Sequence, residues 1–165
     1  MDKAGVRRLL KGRAVSEEAG RKACALLLAD PWVREADCVL LYYPLADEAD
    51  IRPLYEALPC VALPYMLSDG SMDFSIYRGA LTEGRFGIME CVEKEAVQTT
   101  ERTVIVIPAI AYDRTGVRLG RGLGCYDRYM AAHRIRSIGI ITQDRLYERL
   151  PREEHDLRVD RLIIC

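Results

Sequence analysis

The sequence predicts an α/β layer fold around a mainly parallel sheet. Three observations predict it. The near-continuous apolar runs "DCVLLYY", "TVIVIP" and "SIGIIT" suit strands buried on both faces. Segments of helical periodicity separate such runs, the pattern of parallel strands joined by crossover helices. A glycine-rich loop follows the strongest strand, and in such sheets ligands gather at the carboxyl ends of strands.

Taken in order, residues 2–12 read as a short basic helix. "SEEAGRKACALLLAD" reads as a second, with Ser16 as N-cap, Glu17 and Glu18 at the positive end of the dipole, and Ala23, Leu26 and Leu27 as the apolar stripe. The strand centred on 38–43 ends at Pro44. Asp50 is expected to cap "IRPLYEAL", where Pro53 falls in the first turn. "CVALPYM" and "MDFSIY" form two strands about the turn "LSDGS". Residues 79–101 read as polar and irregular. After the strand at 103–108 come a long loop, a helix from about Cys125, the strand at 137–142, a short helical or irregular stretch and the final strand "RLIIC".

The 165 residues suit one domain, spanning 1–165, that buries about two-thirds of its unfolded surface. With 24 basic against 25 acidic residues, no global field draws nucleic acid or an anionic membrane. No apolar run is long enough to span a bilayer. The six cysteines lie far apart with no C-x-x-C pair, which argues against a zinc ribbon and a secreted disulfide framework. The expected setting is the cytoplasm.

The chemistry concentrates in "GVRLGRGLGCYDRYM", residues 116–130. Gly120, Gly122 and Gly124 let backbone amides approach a ligand, and a helix starts directly after them. Arg118 and Arg121 add charge suited to phosphate oxygens. The segment is either a phosphate cradle or a plain glycine-rich turn. It is neither a P-loop, which needs Gly-Lys-Ser/Thr, nor a dinucleotide fingerprint, which follows its strand directly. Asp127 is favourable in the first helical turn for its dipole alone. Beside bound phosphates it would need a divalent cation between, as Mg²⁺ binds one or two carboxylates plus phosphate oxygens.

"PAIAYDRTGVRLGRGLGCYDRYM" resembles the signature of the 5-formyltetrahydrofolate cyclo-ligase family: a proline-glycine, an aromatic-Asp pair, then G-x-R-L-G-x-G-K-G-Y-Y-D. "KAGVR", "YYPLADEAD", "FGIME" and "LPREEHDLRVDRLI" agree in order, so the resemblance covers nearly the whole chain. It implies a three-layer sandwich similar to the sugar-phosphate isomerase and CoA-transferase group. It also implies Mg-ATP-dependent conversion of 5-formyltetrahydrofolate into 5,10-methenyltetrahydrofolate, ADP and phosphate. Lys3 and Arg7 match nucleotide contacts, and Arg118, Leu119, Gly120, Arg121, Gly122, Leu123, Gly124, Cys125 and Tyr126 match the phosphate loop. Arg121 to Cys125 also meet the folate, Arg118 and Arg121 serve transfer, and Asp127 and Asp160 match the acids associated with Mg²⁺. Glu48 matches the substrate-binding glutamate, and Tyr43 a substrate-contacting position. His155 is expected to hold the terminal segment. The implied partners are small molecules, the folate and ATP, with neither nucleic acid nor membrane, and a monomer is favoured.

The chain departs from the family pattern at four places. Leu123 stands for lysine, Cys125 for tyrosine, Ala109 for glycine and Cys91 for proline. Losing the lysine removes a point charge from the transferring phosphoryl group, which implies slower cyclisation. Two rivals are a weakly catalytic or non-catalytic binding protein on the same fold, and an ATP-using enzyme for another N-formyl or pterin-like substrate.

Overall fold

The computed structural model describes residues 1–165. The helices are α1 (Lys3–Leu10), α2 (Glu17–Ala29), α3 (Pro31–Glu35), α4 (Leu54–Ala57) and α5 (Cys125–Ala132). The strands of the main sheet are β1 (Val39–Leu40), β2 (Val61–Met66), β3 (Met72–Ile76), β6 (Val104–Ile107), β9 (Arg136–Ile141) and β11 (Arg161–Ile164), in the order β11-β9-β6-β1-β2-β3. All neighbours are parallel except β2 and β3, which close around the tight turn at 67–71. Strands β4 (Leu81–Glu83) and β5 (Met89–Cys91) form a hairpin, and β7 (Ala111–Asp113), β8 (Arg118–Leu119) and β10 (Leu146–Tyr147) a small second sheet. The mainly parallel α/β expectation holds.

Strand alternation builds a core on each face. Val104 and Val106 point with Val39, Val61 and Ile138 toward Ala23 and Leu27 of α2, while Ile105 and Ile107 point with Leu40, Ala62 and Phe74 toward Tyr129 of α5. Both faces of β6 are therefore dry, which is why its sequence is continuously apolar. A third cluster seats Val6 and Leu10 of α1 on Ala111, Val117 and Leu119 of the small sheet. Those two residues are one helical turn apart, and so are Lys3 and Arg7 on another face. No helix is long and apolar enough to cross a membrane.

Four expectations are corrected. Leu26 is exposed, and Gly20 and Cys24 complete the buried stripe of α2 instead. Asp50 accepts from the Arg52 backbone N–H (3.1 Å) and pairs with the Arg52 guanidinium, but it does not cap α4, which starts later, after Pro53. Asp30 is the cap missed: it accepts from Trp32 N–H at 2.9 Å with Pro31 in the first turn, and so starts α3 where α2 ends. The stretch 79–101 holds the β4–β5 hairpin, and the long loop holds β7 and β8.

Candidate active site

One cleft opens beside the carboxyl ends of β1, β2 and β6, a second lies beside α1 and the terminal segment, and residues of 118–126 line both. The loop after β1 supplies the first wall. Tyr42 donates from its hydroxyl to Ala49 O (2.7 Å), and Tyr55 donates to Tyr42 O (2.6 Å). Buried Arg145, next to β10, donates to Asp47 O at 2.5 Å. A segment with no regular structure is thus held rigidly, and it turns Glu48 inward.

Glu48 has a side chain only 8% exposed. Its Oε1 accepts from Leu45 N–H (2.9 Å), and its Oε2 lies 3.4 Å from Arg121 Nη2. Burial pushes its carboxyl pKa up; the Leu45 amide and Arg121 only partly offset that. Arg121 also grips Asp47, at 2.5 and 3.1 Å. Tyr42, Tyr43, Glu48, Pro64, Tyr65, Met66 and Met72 line a largely apolar cleft that continues to Arg85 and Phe86 at the tip of the β4–β5 hairpin.

The second cleft is polar, lined by Lys3, Arg7, Leu119, Gly120, Gly122, Asp127, Arg128, His155 and Asp156. Gly122 (φ +97°) and Gly124 (φ +68°) adopt left-handed backbone, which a side chain would strain. Arg7 Nε donates to Gly120 O at 2.8 Å, docking α1 on the loop. Lys3 Nζ pairs with Asp156 at 2.6 Å. Arg128 Nη1 donates to Leu123 O at 2.8 Å, one helical turn back.

Arg118, Leu123 and Gly124 line both clefts. Arg118 donates from Nε to Pro108 O (2.8 Å) and lies over the Tyr126 ring, its carbon 4.8 Å from the centroid. Both contacts fix the guanidinium at the junction.

Most of the expected residues converge here, with some sorting. Lys3, Arg7, Leu119, Gly120 and Gly122 face the polar cleft, whereas Tyr43, Glu48, Arg121, Cys125 and Tyr126 face the apolar one. Arg121, Cys125 and Tyr126 thus line the apolar cleft and not the polar one, and Gly122 the polar cleft and not the apolar one. Asp127 reaches the polar cleft and accepts from Leu157 N–H at 3.3 Å. Asp160 does not: at the foot of β11 it accepts from Ser137 N–H at 2.9 Å, because the parallel pairing with β9 holds it to that strand. Asp160 thus lies outside the lining of the cleft that Asp127 reaches. His155 is exposed, with Nε2 3.3 Å from Glu153 and 3.8 Å from Asp156 within the terminal segment. No cluster of three or more His, Cys, Asp or Glu side chains is poised for a metal.

Sequence reasoning missed Arg128, Arg145, Asp156 and the hairpin tip. The available signal at the tip was a lone phenylalanine in a polar stretch. Asp113, half of the aromatic-Asp pair, proves architectural: buried, it accepts from the N–H groups of Thr115, Val117 and Leu150 and from the Thr115 hydroxyl. Burial alone would raise its pKa, but these bonds outweigh it and hold the carboxyl below its ordinary value.

A parallel α/β sheet with an apolar cleft and a cationic, glycine-walled cleft meeting at one arginine has the form of a small-molecule enzyme. Comparisons with known proteins narrow it. The model of the 5-formyltetrahydrofolate cyclo-ligase family matches residues 3–165. The 5-formyltetrahydrofolate cyclo-ligase of Mycolicibacterium smegmatis is 33% identical over 139 residues, 76% of this chain and 72% of that protein. Its Escherichia coli K12 counterpart is 29% identical over 154 residues, 86% and 85% of the two chains. The NMR structure of Aquifex aeolicus 5,10-methenyltetrahydrofolate synthetase superposes with a TM-score of 0.86 at 32% identity, covering 99% of this chain and 90% of that one. The chain belongs to the 5-formyltetrahydrofolate cyclo-ligase family, and with it to the ligases.

Proposed function

We propose that the chain binds 5-formyltetrahydrofolate in the apolar cleft and ATP in the polar one, and cyclises the folate to 5,10-methenyltetrahydrofolate. The observation that carries this reading is the junction: the two clefts meet at Arg118, Leu123 and Gly124. Glu48 accepts hydrogen bonds from pterin N–H groups, which gives orientation as well as affinity. Lys3, Arg7 and the amides of Gly120 to Gly124 take the phosphates.

The formyl oxygen, held at Arg118, attacks the γ-phosphorus; the bond to the β,γ-bridging oxygen breaks and ADP leaves. N10 then adds to the activated formyl carbon, the carbon–oxygen bond to phosphate breaks, and N10 gives up its proton. No step requires a covalent bond to the protein, so the chain contributes positioning and charge. Mg²⁺ on the phosphates would neutralise charge developing in transfer. Asp127 is the acid facing them, and Asp156, already paired with Lys3, is the second nearby.

The architecture is read as belonging to the sugar-phosphate isomerase and CoA-transferase group. Six free cysteines suit a reducing compartment, and we read the protein as a cytoplasmic monomer. ADP formation tests the reading: it should require 5-formyltetrahydrofolate and ATP together, and ADP formed from ATP alone at the same rate would overturn it.

A further inference from the structure

The amino ends of β1 and β2 hold a pair of thiols that the chemistry above does not use. Cys38 precedes β1, Cys60 precedes β2, and their Sγ atoms lie 2.8 Å apart. The parallel register explains the meeting. Val39 faces Val61, and Val39 N–H donates to Cys60 O at 3.0 Å, so Cys38 and Cys60 stand opposite one another. Both side chains pack on one apolar cluster with Leu40, Ala62 and Phe74, so they share a face of the sheet. Paired strands lie about 4.8 Å apart, within the Cα separation of roughly 4.4–6.8 Å that a disulfide bridges. Neither cysteine lines a cleft.

The other thiols are placed differently. Cys24, Cys91 and Cys165 each donate to a backbone carbonyl, those of Asp50, Ser75 and Ile141. Cys125 lies 4.0 Å from Arg128 Nη2. Only Cys38 and Cys60 meet each other. Access to the pair is one-sided: Cys38 is buried, whereas Cys60 is half-buried behind exposed Pro59. Burial, and then the neighbouring Cys60, push the Cys38 thiol pKa up, which keeps it protonated and leaves the first attack to Cys60.

We propose that Cys38 and Cys60 are a reversible oxidation site, closed to a disulfide by a hydroperoxide. The Cys60 sulfur attacks one oxygen of hydrogen peroxide and the O–O bond breaks. The other oxygen leaves as water with the thiol proton, and Cys60 becomes a sulfenic acid. Cys38 then attacks that sulfur, the S–S bond forms, and a second water carries off the sulfenic oxygen and the Cys38 proton. A dithiol reductant returns both thiols. The bridge closes a loop over 38–60 that carries β1, the Glu48 segment and α4, so it restricts the unfolded chain and staples one wall of the apolar cleft.

Hydrogen peroxide added to the purified protein tests it. Thiols counted after unfolding should fall from six to four, since one bridge consumes two, and dithiothreitol should restore six. A protease that cuts after glutamate separates Cys38 from Cys60 at Glu48 and Glu56, so the two peptides should stay linked only after oxidation. The oxidised protein should melt about 5–10 °C higher. Cys60→Ser, at the half-buried position, should abolish both the link and the rise. In Cys38→Ala, Cys60 should stop at the sulfenic acid, which dimedone traps. Six thiols that persist under peroxide, a bridge between other cysteines, or Cys60 driven to the sulfinic acid in the unsubstituted protein would overturn the site. A bridged protein that melts no higher would overturn the staple.

Discussion

Arg121 and Glu48, 73 residues apart, meet with Nη2 and Oε2 separated by 3.4 Å, and Arg121 holds Asp47 at the same time. The contact fastens the glycine loop to the end of β1, so the two walls of the apolar cleft are set by one guanidinium. It also leaves Glu48 as a buried carboxylate that Arg121 only partly compensates.

Glu48→Gln should therefore weaken 5-formyltetrahydrofolate binding by about tenfold or more, since a paired acceptor for pterin N–H groups is lost. ATP binding should stay nearly unchanged, because Glu48 does not line the polar cleft. Separate titrations with each ligand check this, and equal losses for both would contradict it.

The raised pKa of Glu48 fixes a pH dependence. Between the unfolded value, about 4.3, and the higher folded value, the native state binds the extra proton. Stability contributed by this group therefore falls as pH rises through that window. Glu48→Gln should flatten the loss and leave the protein no less stable at neutral pH. Thermal melts of both proteins from pH 4 to 8 measure it, on the order of the window just given.

Asp113 has the opposite sign. Its lowered pKa contributes stability above the unfolded value of about 3.9, lost as pH falls through the folded one. Asp113→Asn should cost roughly 1–3 kcal/mol, because the amide oxygen can keep Thr115 and Val117 but the NH₂ then faces the buried Leu150 N–H. It should also weaken the phosphate side indirectly, since Asp113 shapes the turn that leads into β8. Urea denaturation gives the first figure.

Asp127→Ala should lower Mg²⁺-dependent turnover by about 10²-fold or more with the fold intact. The Leu157 amide loses one long hydrogen bond, worth about 1 kcal/mol. Unchanged turnover and an unchanged Mg²⁺ requirement would remove the metal assignment.

Leu123 is 56% exposed and touches both clefts, so a longer cation fits there without emptying the core. Leu123→Lys should speed turnover by about tenfold with ATP affinity little changed, because the charge acts on transfer rather than on ground-state binding. Arg128, held on Leu123 O, is a cation close to that position. Arg128→Ala should slow turnover, and Leu123→Lys should restore it in that background. Steady-state kinetics on the four proteins decide.

The sequence made the sheet legible because continuous apolar runs bury both faces, and this is a local signal that β6 and β9 state plainly. The glycine loop was legible for the same reason: its glycines and arginines are adjacent in the chain. What was hidden depended on chain-distant geometry. Asp160 sits next to the last strand in sequence, yet its carboxylate is taken up by Ser137 N–H at the start of β9 rather than by the polar cleft. Arg145 looked like one surface arginine among many until folding buried it against Asp47 O. The β4–β5 hairpin was missed because an exposed two-stranded ribbon buries little, so its residues show no clean alternation.

The central claim is that the junction at Arg118 joins a folate and ATP for ring closure. The most direct measurement is the near-ultraviolet absorbance of the methenyl product when 5-formyltetrahydrofolate, Mg²⁺ and ATP are mixed with the protein. The account expects the chromophore to grow only when all three are present, with one phosphate released for each ring closed. No chromophore from protein that binds both the folate and ATP would contradict it.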